Sequence, residues 1–131
     1  TVYASLLSKK IEQHGVSCWL VNTGWTGGPY GSGSRMRIAY TRAMIDALLA
    51  GELTDVPYQI DPVFGLAVPQ ACPGVPADVL NPRSTWADGQ AYDYQARHLA
   101  QMFADNFAQF ADRVPTAVRA AGPRLAETFA S

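Results

Sequence analysis

Six prolines between positions 55 and 83 constrain the fold of this chain more than any other feature. A proline removes a backbone donor and clashes with the preceding helical turn, so a long helix is excluded from this stretch. Only short extended pieces fit between the prolines, and we predict them at residues 58–60 and 66–68. The stretch is thus predicted to wrap around the rest of the domain. The prolines are Pro57, Pro62, Pro69, Pro73, Pro76 and Pro82.

Apolar residues at helical spacing predict helices on either side of this wrap. Tyr3, Leu7 and Ile11 predict a first helix through about His14, with Gly15 as its stop. A second helix is predicted from near Thr41, a good N-cap residue, to Gly51.

A third and longer helix is predicted over residues 89–111. It is followed by a short helical turn after Pro115 and a tail after Gly122. Its apolar stripe must pack on something, most simply on a layer of strands. The stripe consists of Ala96, Leu99, Phe103, Phe107 and Phe110.

A short apolar run at residues 18–21 follows the first helix and precedes glycine-rich sequence. Such a run predicts a strand buried on both faces, with Trp19 in the core. Helix followed by buried strand indicates a mixed α/β fold. Residues 22–34 are then predicted to form a loop whose glycines let a ligand approach the backbone.

The spacing of Gly28 and Gly33 resembles the start of a Walker A loop. That motif continues with Lys and then Ser or Thr, whereas Ser34 and Arg35 stand here. The lysine would neutralise the terminal phosphates and the hydroxyl would hold magnesium. From spacing alone, a glycine-rich turn without a ligand is therefore the favoured interpretation.

Composition excludes several classes of partner. The formal net charge of -1 and the pI of about 6.0 give no basic surface for nucleic acid or an anionic membrane. No apolar run approaches the roughly 18 residues of a membrane span, so we expect a soluble, cytoplasmic protein. Cys18 and Cys72 are expected to be reduced thiols, and His14 and His98 lack partners at metal-ligand spacing. We predict no catalytic and no metal-binding residue in this chain.

Several words of the sequence resemble, in order, the ATP-dependent phosphoenolpyruvate carboxykinases. The first block is NTGWTGGPYG at residues 22–31, followed by Gly33, Arg35, Met36 and TRA at 41–43. Later words are LAVP at 66–69, PGV at 73–75, LNPRSTW at 80–86 and AAGP at 120–123. The resemblance covers essentially the whole chain.

The resemblance implies an enzyme of gluconeogenesis that converts oxaloacetate and ATP to phosphoenolpyruvate, ADP and carbon dioxide. It implies divalent metal ions, typically magnesium with manganese. It also implies that residues 1–131 are a single partial domain, the C-terminal part of the ATP-binding domain, which the start at Thr1 instead of Met also suggests. The phosphate-binding lysine loop, the metal ligands and the oxaloacetate-binding residues would then lie upstream, so the chain alone should be inactive.

The resemblance assigns nucleotide contacts to Arg35, to the backbone of Met36 and to Thr41. An arginine can stack on adenine while it donates hydrogen bonds, and methionine adds soft packing. The Thr41 hydroxyl could bind the nucleotide, or Thr41 could simply cap its helix.

Two other functions stay open at this point. One is a nucleotide-binding module without enzyme activity. The other is a structural or assembly domain, in which Phe103, Phe107 and Phe110 meet the missing remainder or another copy. The sequence does not determine the number of subunits.

Overall fold

The computed structural model describes residues 2–125. These residues mix helices with two small antiparallel sheets, which agrees with the predicted mixed α/β class. The part of the predicted tail from residue 126 onward lies outside the described residues. The elements in chain order are α1 (Val2–His14), β1 (Trp25–Thr26), β2 (Ser34–Arg35), α2 (Ile38–Leu49), β3 (Tyr58–Ile60), β4 (Ala67–Pro69), α3 (Ala77–Leu80), α4 (Gly89–Ala108) and α5 (Thr116–Ala120), with short 3-10 helices at Pro82–Thr85 and Ala111–Arg113.

Helix α1 ends at His14, as predicted. Gly15 follows with a φ of 59°, a left-handed conformation that suits glycine, and its N–H still donates to the Ile11 carbonyl at 2.9 Å. The apolar stripe of α1 has no buried member within the described chain. The helix therefore owes little of its stability to packing inside residues 2–125.

The prediction of a buried strand at residues 18–21 is wrong. The segment is irregular, Trp19 is 41% exposed and Leu20 is 84% exposed. A strand that is covered on both faces needs paired neighbours and a layer on each side. Within residues 2–125 no strand pairs with this segment, so its apolar side chains stay at the surface. Trp19 is thus not a core residue; its ring lies 6.2 Å from the ring of Tyr58.

Helix α2 begins at Ile38, so the prediction that Thr41 caps it is wrong. The N-cap is Arg37, whose φ of -61° and ψ of 130° are extended, and no side chain caps this end. Thr41 lies in the first turn, where its N–H donates to the Arg37 carbonyl at 3.2 Å. The chain turns helical as soon as it leaves the β2 pairing, and this early start moves Thr41 inside the helix.

The proline-rich wrap contains the two predicted extended pieces. Strand β3 lies at the predicted residues, and β4 is shifted by one residue from the predicted 66–68. The two strands form an antiparallel pair with Gln59 opposite Val68. Asp61 fixes the connecting turn, since its Oδ1 accepts the N–H groups of Val63 at 2.9 Å and Phe64 at 2.6 Å.

Helix α4 has 20 residues and ends at Ala108, earlier than the predicted residue 111. At its start the Asp88 carboxylate accepts the N–H of Gln90 at 2.8 Å, a standard N-cap. At its end the chain tightens, because the Phe110 N–H donates to the Phe107 carbonyl at 2.8 Å. Helix α5 occupies the position of the predicted helical turn after Pro115.

A buried cluster joins α2 to the wrap and to α3. Partly buried neighbours from α2, such as Met44 and Leu48, and Val79 and Leu80 from α3 pack against it. No helix among the described residues has both the length and the apolar character needed to cross a membrane. The buried members of the cluster are Ala47, Leu53, Cys72 and Val75.

Candidate functional site

Strands β1 and β2 form a small hairpin, so the predicted loop at residues 22–34 is partly ordered as a sheet. Trp25 lies opposite Arg35 and Thr26 lies opposite Ser34. The Met36 N–H extends the ladder with a 2.8 Å bond to the Gly24 carbonyl. The hairpin therefore fixes the backbone of both Arg35 and Met36.

The turn of this hairpin brings two glycines into close contact. A Cβ on Gly33 would lie 2.5 Å from the Gly28 carbonyl oxygen and 2.7 Å from that of Thr26. Both atoms belong to the backbone and cannot swing aside. The spacing of the two glycines thus serves a tight backbone approach within the hairpin itself.

Thr85, at the end of the 3-10 helix Pro82–Thr85, holds the hairpin from outside. The Gly27 N–H donates to Thr85 Oγ1 at 3.1 Å, and the Thr26 hydroxyl donates to the same oxygen at 3.3 Å. The Thr85 hydroxyl in turn donates to the Pro82 carbonyl at 2.7 Å. One side chain therefore joins the hairpin to a segment 58 residues farther along the chain.

Arg83 connects that 3-10 helix to α4. Its Nε donates to Asp93 Oδ1 at 2.9 Å and its Nη2 donates to Asp93 Oδ2 at 3.0 Å. These hydrogen bonds lower the pKa of Asp93 and raise the pKa of Arg83. The guanidinium lies over Gly89, where a Cβ would come within 2.8 Å of Arg83 Nη2. The hairpin, the 3-10 helix and α4 thus form one connected unit.

An apolar cleft of about 820 Å³ opens beside this unit. Trp25 and Met36 from the hairpin region and Trp86 and Tyr92 from the α4 side are among its lining residues. The rings of Trp86 and Tyr92 meet edge to face at 5.6 Å. Burial is the main cause that raises the pKa of Tyr92, and Asp61 and Asp93 add to the effect.

The three predicted nucleotide residues lie in one short stretch, at the junction of β2 and α2. Met36 is only 6% exposed and lines the cleft. Arg35 is exposed and is not among the cleft-lining residues, and Thr41 is half-buried in the first turn of α2. Along a strand, successive side chains lie on opposite faces, which accounts for the separation of Arg35 from Met36.

The charge around this junction is positive. The first turn of α2 contains no acidic residue, and the N-terminal end of a helix carries a partial positive charge. Arg37 lies at this end, where its Nη1 donates to the Tyr40 hydroxyl at 3.2 Å. Among residues 2–125 no three His, Cys, Asp or Glu side chains are grouped to hold a metal ion.

Sequence reasoning did not single out Thr85, Arg83 or Asp93. Thr85 and Arg83 belong to the word LNPRSTW, which carried only the resemblance. The local signal was a threonine three residues after Pro82, a spacing at which a hydroxyl can bond back to the backbone. Nothing local indicated that the same oxygen would accept from Gly27.

Comparisons with known proteins give one consistent result. A family model described as phosphoenolpyruvate carboxykinase matches residues 1–78. A protein of Moorella thermoacetica named phosphoenolpyruvate carboxykinase (ATP) 1 is 59% identical over 121 residues, or 92% of this chain. Its namesake in Salinibacter ruber is 58% identical over 95% of this chain, and phosphoenolpyruvate carboxykinase (ATP) of Thermus thermophilus is 55% identical over 94%. The chain spans 23% of the length of each of these relatives.

Proposed function

We propose that this chain, which belongs to the ATP-dependent phosphoenolpyruvate carboxykinase family, holds the adenosine part of ATP for a longer enzyme. That enzyme would convert oxaloacetate and ATP to phosphoenolpyruvate, ADP and carbon dioxide. Residues 1–131 would then be one segment of its ATP-binding domain. The proposal gives the chain a binding role and leaves the bond-breaking steps to the rest of the enzyme.

The observation that carries the proposal is the junction of β2 and α2. Arg35 ends β2, Met36 follows it, and Thr41 lies in the first turn of the helix. Seven consecutive positions thus present a guanidinium, main-chain groups and a hydroxyl beside the positive end of a helix. This set suits a ligand that combines a flat aromatic base, a sugar and phosphates.

Each of these three residues has a group that can contact the nucleotide. Within residues 2–125 the Arg35 guanidinium makes no ion pair and no hydrogen bond, so it can stack on a base. The Met36 N–H is already bonded to Gly24, which leaves the Met36 carbonyl to accept a hydrogen bond from the adenine amino group. The Thr41 hydroxyl has no capping bond to maintain, so it can hydrogen-bond a ligand.

The reaction of the longer enzyme needs more than these groups. Oxaloacetate loses carbon dioxide, and the resulting enolate oxygen takes the γ-phosphoryl group of ATP, which leaves ADP. Magnesium and manganese, which we propose for that enzyme, supply charge stabilisation when bound. We propose that other parts of the enzyme hold those ions. We propose that this enzyme is cytoplasmic.

The test is substitution of Arg35 by alanine in the longer enzyme. Loss of a hydrogen-bonding charged group from a binding site should raise the KM for ATP by at least about tenfold. The KM for oxaloacetate should stay unchanged. Arg42→Ala is the matched control, because Arg42 is an exposed arginine on α2 with no ion pair in the described part of the chain. An unchanged KM for ATP in Arg35→Ala would overturn the proposal.

A second role, as an assembly surface, is favoured by the exposed apolar side chains. Leu6, Leu7 and Leu20 are all exposed although they are apolar. If they form one continuous apolar surface, a partner would cover it, here the remainder of the enzyme or a second copy. Light scattering of the isolated chain over a range of concentrations, with ATP calorimetry, separates the roles. Association without nucleotide affinity supports the assembly role, and nucleotide binding by a monomer supports the module without enzyme activity.

A further inference from the structure

We propose that Thr85 is a positioning residue for ATP, acting through the hairpin that ends in Arg35 and Met36. The inference rests on the proposed function of that stretch. Thr85 does not belong to the β2–α2 junction and has no role in the resemblance beyond its place in the word LNPRSTW. Its contacts nevertheless fall on Thr26, in the strand that pairs with β2, and on the next residue, Gly27.

Every hydrogen-bonding position of the Thr85 hydroxyl is occupied. It can donate one hydrogen bond and accept two. It donates to the Pro82 carbonyl and accepts from the Thr26 hydroxyl and the Gly27 N–H. These bonds fix the oxygen on both sides, toward its own 3-10 helix and toward the hairpin.

The hairpin needs such an external contact. It has only two paired positions, and an isolated two-stranded hairpin is at best marginally stable in water. Thr26 pairs directly with Ser34, the residue before Arg35. A displacement of Thr26 and Gly27 is therefore passed across the pair to the backbone that carries Arg35 and Met36.

The 3-10 helix that contains Thr85 is itself held in place. The Asn81 side-chain oxygen accepts the Arg83 N–H at 3.2 Å and caps the 3-10 helix. The two hydrogen bonds from Arg83 to Asp93 then tie that helix to α4. Thr85 thus transmits the position of a long helix to a short hairpin.

The experiment uses the longer enzyme with Thr85→Val, which keeps the shape and removes the hydroxyl, and Thr85→Ser, which keeps the hydroxyl. One lost hydrogen-bonding centre should raise the KM for ATP by about two- to tenfold in Thr85→Val. The KM for oxaloacetate should not change, and Thr85→Ser should behave as the unmodified enzyme. Amide hydrogen exchange at Gly27 should be faster in Thr85→Val. Thr85→Ala serves in its place where the valine variant does not fold.

Two results overturn the inference: an unchanged KM for ATP in Thr85→Val, or equal effects of valine and serine. A purely structural role would lower kcat through loss of folded enzyme and leave the KM for ATP as it was. Arg35→Ala, measured beside these variants, separates the two proposals. If Arg35→Ala raises the KM for ATP and Thr85→Val does not, only the role of Thr85 fails. If neither does, the proposed nucleotide site fails as well.

Discussion

Arg83 and Asp93 form a bidentate pair, with two hydrogen bonds of 2.9 and 3.0 Å from guanidinium to carboxylate. Lysine could not reproduce this fork, because its ammonium is a single point of charge. Both side chains are in contact with solvent, Arg83 more than Asp93, and solvent weakens their attraction. Their main contribution is therefore orientation: they hold the 3-10 helix Pro82–Thr85 at a fixed angle to α4.

Replacement of Asp93 by asparagine should lower the thermal unfolding midpoint of the 131-residue chain, and the loss should depend on pH. Arg83 lowers the pKa of Asp93 below its usual 3.8 in the folded state. A lowered pKa contributes stability that is present above the usual value and is lost as pH falls through the folded value. The difference in unfolding midpoint between the unmodified chain and Asp93→Asn should thus be largest near neutral pH. It should disappear in acid, at pH values below 3.8.

Asp46→Asn is the matched control for this experiment. Asp46 is an exposed helical carboxylate that makes no ion pair within the described residues. It should show no comparable gap at neutral pH. A gap for Asp93→Asn that stays constant from neutral pH into acid would contradict the role of the charge.

Gly33→Ala should destabilise the hairpin by about 1–3 kcal/mol, the usual cost of forcing extra volume into a packed site. The added Cβ would press on the Gly28 and Thr26 carbonyl oxygens, both of which are backbone atoms. Urea unfolding checks the free energy of unfolding. Gly24→Ala is the control, since a Cβ there meets only the Asn22 side chain at an ordinary 3.5 Å. Equal urea midpoints for the two variants would show that the hairpin accommodates the methyl group.

Cys18 should react with iodoacetamide well before Cys72 in the folded 131-residue chain. Cys18 is exposed, whereas Cys72 belongs to the buried cluster. Burial is the main cause that raises the pKa of Cys72 above its usual 9.0, and the charge of Glu52 adds to it. The thiolate is the reactive form, so a raised pKa slows alkylation.

Peptide mapping by mass spectrometry gives the labelling rate of each thiol. The single-thiol variants Cys18→Ser and Cys72→Ser confirm the assignment of each rate. In strong urea the two rates should converge, because unfolding removes the protection of Cys72. Equal rates without urea would show that the buried cluster opens readily.

Local patterns predicted the end of α1 and the short extended pieces of the wrap, because their causes lie within a few residues. Gly15 ends α1 as expected, and the prolines limit β3 and β4 to three residues each. The prediction of an N-cap at Thr41 is wrong because the end of a strand pairing, and not the threonine, determines where the helix begins. Threonine is a favourable cap, but the β2 pairing ends at Arg35 and lets the helix begin three positions before Thr41.

The sequence of residues 18–21 could not by itself show whether this segment forms a buried strand. Apolar content shows only that Trp19 and Leu20 would be stable away from water; it does not show what covers them. A buried strand needs neighbouring strands to pair with, and within residues 2–125 no strand pairs with this segment. The role of Thr85 was hidden in the same way, since its partners are close in space and distant in sequence.

The bond from Gly27 to Thr85 also sets an order of events during synthesis. The ribosome releases the hairpin well before it releases Thr85, because 58 positions separate the two ends of this bond. Closing so long a loop carries an entropic cost that local pairing does not. A nascent chain that stops before Thr85 would hold a hairpin of two paired positions without its distant anchor. The segment around Arg35 should therefore mature late, in step with the emergence of α4.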